Sequence, residues 1–200
     1  MDRRKLVAIL AADVAGYSRL MADDEAATLR ALNESRDVFR RRTEAHGGRL
    51  IDTAGDSILG EFSSAVEAVD SAVENQRELA KRKAQLAEHR RMQFRIGINL
   101  GDVIEQGDGT IYGDGVNVAA RLQQLAEAGG VCLSGTAFDQ VEGKLPLQFE
   151  SIGEQPVKNI AKPVRAYRVR VDPTGATRTY RTGSPDRPGN IGATMRTERS

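Results

Sequence analysis

The segment Leu50-Ile-Asp-Thr-Ala-Gly-Asp-Ser-Ile-Leu-Gly-Glu-Phe62 sets two aspartates, Asp52 and Asp56, on either side of an Ala-Gly turn, with apolar residues flanking both. Far upstream, Asp13 ends the apolar run AILAA, which reads as an interior strand. A carboxylate at the edge of a core is expensive unless it is paired, hydrogen-bonded or bound to a metal. Taken singly, Asp13 serves as well as a cap for the turn at residues 14–18, and Asp56 as ordinary hairpin chemistry. Together they offer more. If the hairpin strand lies beside the first strand, both carboxylates reach one end of the sheet, where two hard oxygen ligands suit Mg²⁺ ions that keep most of their waters. The turn Val14-Ala-Gly-Tyr-Ser18 follows that strand. Backbone N–H groups in such a turn converge on phosphate oxygens, although a plain glycine turn has the same sequence. Asn117 and Arg121 stand at i and i+4 on a run of small apolar residues after a glycine-rich turn. A solvated arginine is the usual outcome there, yet the same pair suits orienting a sugar and neutralising a phosphate.

Elements must hold these residues in place. Residues 5–13 have strand length and end in turn chemistry at Gly16. Asp23 and Asp24 open a long charged helix with Ala27, Leu29, Leu32, Val38 and Phe39 on its apolar face, stopped by Gly47-Gly48. Residues 49–53 and 57–62 form a hairpin around Ala54-Gly55-Asp56. Ser63 or Ser64 caps a second helix that runs to about residue 86, burying Val66, Val69, Ala72, Val73 and Leu79. In residues 92–104, Phe94, Ile96, Ile98 and Leu100 alternate with Arg95, Gly97, Asn99 and Gly101, the pattern of a half-buried strand. A turn at Gly107-Asp108-Gly109, a helix ended by Gly129-Gly130, and strands at 131–133, 147–152 and 164–171 complete the order. Such an order predicts an α+β domain over residues 1–172, its sheet mostly antiparallel with helices packed on one face. Residues 173–200 are rich in Thr, Gly, Arg, Ser and Pro and read as a flexible tail, or a linker to a further domain after residue 200.

Charge and cysteine content narrow the classes. Lys and Arg total 29 against 28 Asp and Glu, so no global field draws in nucleic acid or an anionic membrane. Asp13 interrupts the N-terminal apolar run, which makes it neither a signal peptide nor a membrane span. One cysteine, Cys132, leaves no intrachain disulfide, and with His46 and His89 it makes no zinc constellation. A cytoplasmic setting is the expectation.

Four stretches in order carry a resemblance: Asp13-Val-Ala-Gly-Tyr-Ser18, Thr53-Ala-Gly-Asp-Ser57, Tyr112-Gly-Asp-Gly-Val-Asn-Val-Ala-Ala-Arg-Leu122 and Val157-Lys-Asn-Ile-Ala-Lys-Pro-Val164. Over residues 5–171 the chain resembles the catalytic domain of the class III nucleotidyl cyclases, the adenylate and guanylate cyclases. The resemblance implies a ferredoxin-like core with additions. It implies that Asp13 and Asp56, with the Val14 carbonyl, hold two Mg²⁺ or Mn²⁺ ions, and that Ala15, Gly16, Tyr17 and Ser18 receive the β- and γ-phosphates of a nucleoside triphosphate. Asn117 would orient the ribose, Arg121 would stabilise transition-state charge, and Lys158 would contact the terminal phosphates. The metal aspartates and the Asn/Arg helix would come from opposite subunits of a homodimer. One departure stands out. The position four residues before the hairpin aspartate, lysine in most family adenylate cyclases, is Asp52 here, and the second base-reading position is Thr110. ATP is the substrate the family implies, with a guanylate or pyrimidine cyclase as the alternative reading. A degenerate domain that binds nucleotide for regulation or dimerisation is the rival from another class.

Overall fold

The computed structural model describes residues 2–157, 160 and 162–171. Lys158 and the tail expected over 173–200 lie outside the described residues. In chain order the elements are β1 (Arg3–Val14), α1 (Tyr17–Asp23), α2 (Glu25–Ala45), β2 (Arg49–Asp52), β3 (Ile58–Phe62), α3 (Ala65–Lys83) and β4 (Phe94–Glu105). They continue as β5 (Ile111–Tyr112), α4 (Asp114–Leu125), β6 (Val131–Ser134), α5 (Gly135–Val141), β7 (Gln148–Gln155) and β8 (Val164–Arg170). The strands form one sheet in the order β2-β3-β1-β4-β6-β8-β7, with β5 hooked onto the end of β4. The run β2-β3-β1-β4, with helices before β2 and before β4, is the ferredoxin-like core. Every strand pair is antiparallel except β4 with β6.

β1 lies inside the sheet, between β3 and β4, because it is apolar on both faces. Ala8, Leu10, Ala12 and Val14 pack with Leu32, Val38 and Phe39 of α2 and with Val69, Ala72 and Val73 of α3. The alternate residues Val7, Ile9 and Ala11 pack with Ala119 of α4. Helices therefore cover both faces, and the expectation of one covered face is corrected. An apolar second face needs its own cover, and α4 supplies it by crossing β4 where β4 has glycines. A Cβ on Gly97 would lie 2.2 Å from both the Ala119 carbonyl oxygen and the Gln123 nitrogen, so only glycine admits the helix this close.

The helix expected to open at Asp23 and Asp24 is α2, and a further short helix, α1, precedes it where the sequence reads as a turn. Gly16 takes a left-handed conformation (φ 69°), and α1 begins one residue later. Asp24 is extended (φ −158°), which breaks the run, and its side chain accepts a hydrogen bond from the Ala27 N–H at 2.9 Å to cap α2. Ser64 caps α3 in the same way. A charge clamp joins α2 to α3: Arg42 Nη1 reaches Glu74 at 2.7 Å, its Nη2 reaches Glu78 at 2.9 Å, and His46 Nδ1 reaches Glu67 at 2.8 Å. Burial pushes the His46 imidazole down, but hydrogen bonds to Glu67 and Glu74 outweigh it and raise its pKa above the usual value. His46, Asp70 and Glu74 thus meet, a cluster that counting Cys and His alone misses. Arg42 already occupies Glu74, so the group acts as an ion-pair network. Among the described residues no helix is long and apolar enough to cross a membrane.

Candidate active site

Strand register brings the first aspartate to its partner. Asp13, next to last in β1, lies opposite Arg95 at the start of β4. Arg95 Nε donates to Asp13 Oδ1 at 3.0 Å and Nη2 donates to Oδ2 at 2.7 Å, a two-pronged bond that fixes the carboxylate plane. The hydrogen bonds to Asp13, opposed by partial burial and reinforced by the charges of Asp13 and Asp56, raise the guanidinium's pKa.

Asp56 arrives from the other side. β3 pairs with β1 so that Ile58 lies opposite Ala12, and the β2–β3 turn therefore ends beside Asp13. There the Val14 N–H donates to Asp56 Oδ2 at 3.3 Å. Arg36 of α2 holds the turn itself, donating from Nη2 to the Thr53 carbonyl at 2.6 Å and to the Gly55 carbonyl. Asp13 and Asp56 are both half-buried. Asp56 is thus hydrogen-bonded to the residue that follows Asp13, at the C-terminal end of β1. Below them the chain turns at Ala15, whose N–H donates to the Gln93 carbonyl at 2.8 Å. No side chain caps α1, which leaves backbone N–H groups at Tyr17 and Ser18 without an intrahelical acceptor. Gly16 and Ser18 are exposed, Ala15 and Tyr17 half-buried.

Asn117 and Arg121 are elsewhere on the chain's surface. α4 buries Gly115, Val118, Ala119, Leu122 and Gln123 against the sheet, and Asn117 is exposed. Arg121 is half-buried: Nη1 donates to Gln124 at 3.1 Å, and Nε is enclosed with no partner among the described residues. Neither residue makes a hydrogen bond or ion pair with Asp13 or Asp56. One chain brings the aspartates together but does not join them to the Asn/Arg pair.

Asp52 ends β2, exposed and without an ion pair among the described residues. Thr110 sits in the β4–β5 turn, where its N–H donates to Asp108 Oδ1 at 2.9 Å. The bonds from the Thr110 backbone and hydroxyl hold the Asp108 carboxyl below its ordinary range. Arg49 ties that turn to β2, donating from Nη2 to the Gly109 carbonyl at 3.0 Å. It also belongs to a ladder of alternating charge across four strands. Arg49 of β2 and Lys5 of β1 both bind Glu61 of β3, at 2.7 and 2.8 Å, and both bind Glu105 of β4, at 2.6 and 2.9 Å.

Sequence reasoning missed Arg95, Arg36 and Arg49. Arg95 carried a signal, since it is the cation on the polar alternation of β4, one residue after the Phe94 that pairs with Val14. Arg36 carried none, being one of many charges on α2.

Chemically, two carboxylates at a strand end beside exposed turn amides are suited to a divalent cation and a phosphate chain. Residues 1–171 match the family described as the adenylate and guanylate cyclase catalytic domain. A putative adenylate cyclase 3 of Rhizobium meliloti (strain 1021) is 43% identical over 166 residues, 82% of this chain and 28% of the relative. The chain thus spans little more than a quarter of that relative's length. Among solved structures, an adenylate/guanylate cyclase/hydrolase from Silicibacter pomeroyi superposes with a TM-score of 0.79 at 38% identity, covering 84% of this chain and 98% of that one. An adenylyl cyclase from P. aeruginosa shares the fold with a TM-score of 0.76 at 24% identity, covering 85% and 96%. With its ferredoxin-like core and its match along nearly the whole described length, the chain belongs to the adenylate and guanylate cyclase catalytic-domain family.

Proposed function

We propose that the chain converts a nucleoside triphosphate, ATP in the first place, into its 3′,5′-cyclic monophosphate and pyrophosphate, at sites that two copies of the chain build together. The observation that carries this reading is that Asp56 is hydrogen-bonded to Val14, the residue after Asp13, at the end of β1. The donor set fits Mg²⁺ or Mn²⁺. Both residues offer hard oxygens, Asp13 already attracts a cation in Arg95, and the hydrogen bond from Val14 to Asp56 Oδ2 is long, at 3.3 Å. Asp13, Asp56 and the Val14 carbonyl would hold two such ions, which when bound lower the pKa of the ribose 3′-hydroxyl and neutralise charge on the triphosphate.

The chain's own groups do the rest. The turn Ala15, Gly16, Tyr17 and Ser18 would take the β- and γ-phosphates on backbone N–H groups, and Lys158 would contact the terminal phosphates. Asn117 would fix the ribose so that its 3′-oxygen faces the α-phosphorus in line. Arg121, whose Nε has no partner and whose Nη1 bonds the neutral Gln124 among the described residues, has charge to give to the transition state. What supports a homodimer is that, among the described residues, no hydrogen bond or ion pair joins the Asn/Arg pair to the aspartates it must serve. We read residues 1–172 as the working domain, acting in the cytoplasm.

Asp52 and Thr110 would read the base. Support for ATP comes from the 43% identical relative, named a putative adenylate cyclase. Support for GTP comes from Asp52. Ionised, it only accepts hydrogen bonds, and guanine presents N1–H and an amino group side by side. Our reading is ATP with poor selectivity against GTP. Incubation with Mn²⁺ and each of the four ribonucleoside triphosphates, with products identified by mass, tests it. Cyclic AMP with lesser cyclic GMP is expected. Nucleotide binding without any cyclic product would instead support a regulatory module.

A further inference from the structure

On the α3 side of the sheet, a cavity of about 840 Å³ lies between the C-terminal part of α3, the start of β6 and the end of β8. Leu79, Val131 and Val169 give it apolar wall. Lys83 stands in it with Nζ 5.7 Å from the centre of the Phe94 ring. Phe94 packs toward α3, so the cavity lies across β4 from Arg95 and Asp13 and is distinct from the nucleotide site.

The charges around it do not cancel. Of the six charged residues in its wall, Arg168 pairs with Glu127 and Arg170 with Glu150, both at 3.5 Å. Among the described residues Arg91 donates only to the carbonyls of Leu86 and Ala84. Lys83 has no hydrogen bond or ion pair with any described residue, and Arg168 Nε is enclosed without a partner. Burial pushes the Lys83 ammonium down to about 8. A half-buried cation faced by an aromatic ring and by no carboxylate among the described residues favours an anion beside it. Residues 172–200 do not offer one in excess, having five arginines against three acidic residues. The volume is that of a small-molecule site.

We infer that this cavity binds a small organic anion, with its charged head on Lys83 and Arg91 and its apolar body against Leu79, Val131 and Val169. The probe is 1-anilinonaphthalene-8-sulfonate, titrated by fluorescence into the 200-residue chain. One saturable site per chain is expected at pH 7. Lys83→Met, which keeps the apolar stem, weakens binding by about tenfold or more. Ala80→Phe, which narrows the cavity and leaves the lysine, weakens it as well and decides the matter should Lys83→Met fail to fold. Arg82→Met leaves it unchanged. Raising the pH to 9.5 weakens binding to the wild type, because Lys83 alone changes charge while Arg91, Arg168, Arg170, Glu127 and Glu150 keep theirs. Absence of saturable binding, equal affinity in Lys83→Met, or affinity constant to pH 9.5 would overturn the inference.

Discussion

Asp13 is held on both oxygens by one arginine, and that bond sets the behaviour of the proposed metal site. A cation bound at Asp13 competes with Arg95. Replacing Arg95 with methionine should therefore tighten Mn²⁺ binding about three- to tenfold by calorimetry, the scale of a partly exposed ion pair, while turnover falls because Asp13 loses its fixed plane. Unchanged or weaker Mn²⁺ binding would show that Arg95 does not compete. Asp13→Ala and Asp56→Ala should each abolish turnover with the circular-dichroism spectrum intact. Arg121→Ala should lower kcat by about 10² to 10³ with a smaller change in KM, since charge stabilisation in phosphoryl transfer acts mainly in the transition state. An effect on KM alone would reduce Arg121 to docking. Asp52→Lys should raise cyclic AMP relative to cyclic GMP, and a fixed product ratio would remove Asp52 from base reading. Asp13 was legible in the sequence because it ends an apolar strand, where a charge needs a reason, and Asp56 only through the expectation that its hairpin lies beside that strand. Arg36 was not, because a half-buried arginine on a charged helix has the same sequence as a solvated one, and only the fold shows it reaching the Thr53 and Gly55 carbonyls.

The contact that places Asn117 and Arg121 is helix α4 lying flat on β4. A methyl group at Gly97 would meet two backbone atoms that cannot rotate away. Gly97→Ala should therefore cost about 3 kcal/mol in denaturant unfolding, at the upper end of overpacking effects. Gly107→Ala, where a Cβ meets nothing within 4 Å, should cost little. Equal stability of the two variants would mean that α4 sits further from the sheet. The α2–α3 clamp predicts a pH effect. His46 has a raised pKa in the folded chain, so its contribution is full below about 6.5, its unfolded value, and is lost as pH rises through the higher folded value. His46→Gln should flatten that part of the stability profile; an unchanged profile would assign the slope to other groups. Periodicity revealed α2, α3 and β4 because each is long enough to repeat its pattern. It missed α1 and α5, seven residues each, because two turns of helix show too little periodicity to stand apart from a loop. The second covered face was missed for a different reason. Gly97 and Gly101 read as the polar side of a strand, whereas they are the floor on which α4 rests.

Across the whole molecule, each chain is proposed to hold two half-sites: carboxylates and phosphate-binding turn at the end of β1, sugar and charge groups on α4. A dimer of two-fold symmetry pairs them twice. The direct test mixes Asp56→Ala chains with Arg121→Ala chains, each inactive alone, under conditions where labelled chains are shown to exchange. Half the dimers are then mixed, and each mixed dimer has one site free of either substitution. The account predicts that cyclic nucleotide formation returns to roughly a quarter of the wild-type rate. A mixture that exchanges chains yet stays as inactive as its parents would contradict it.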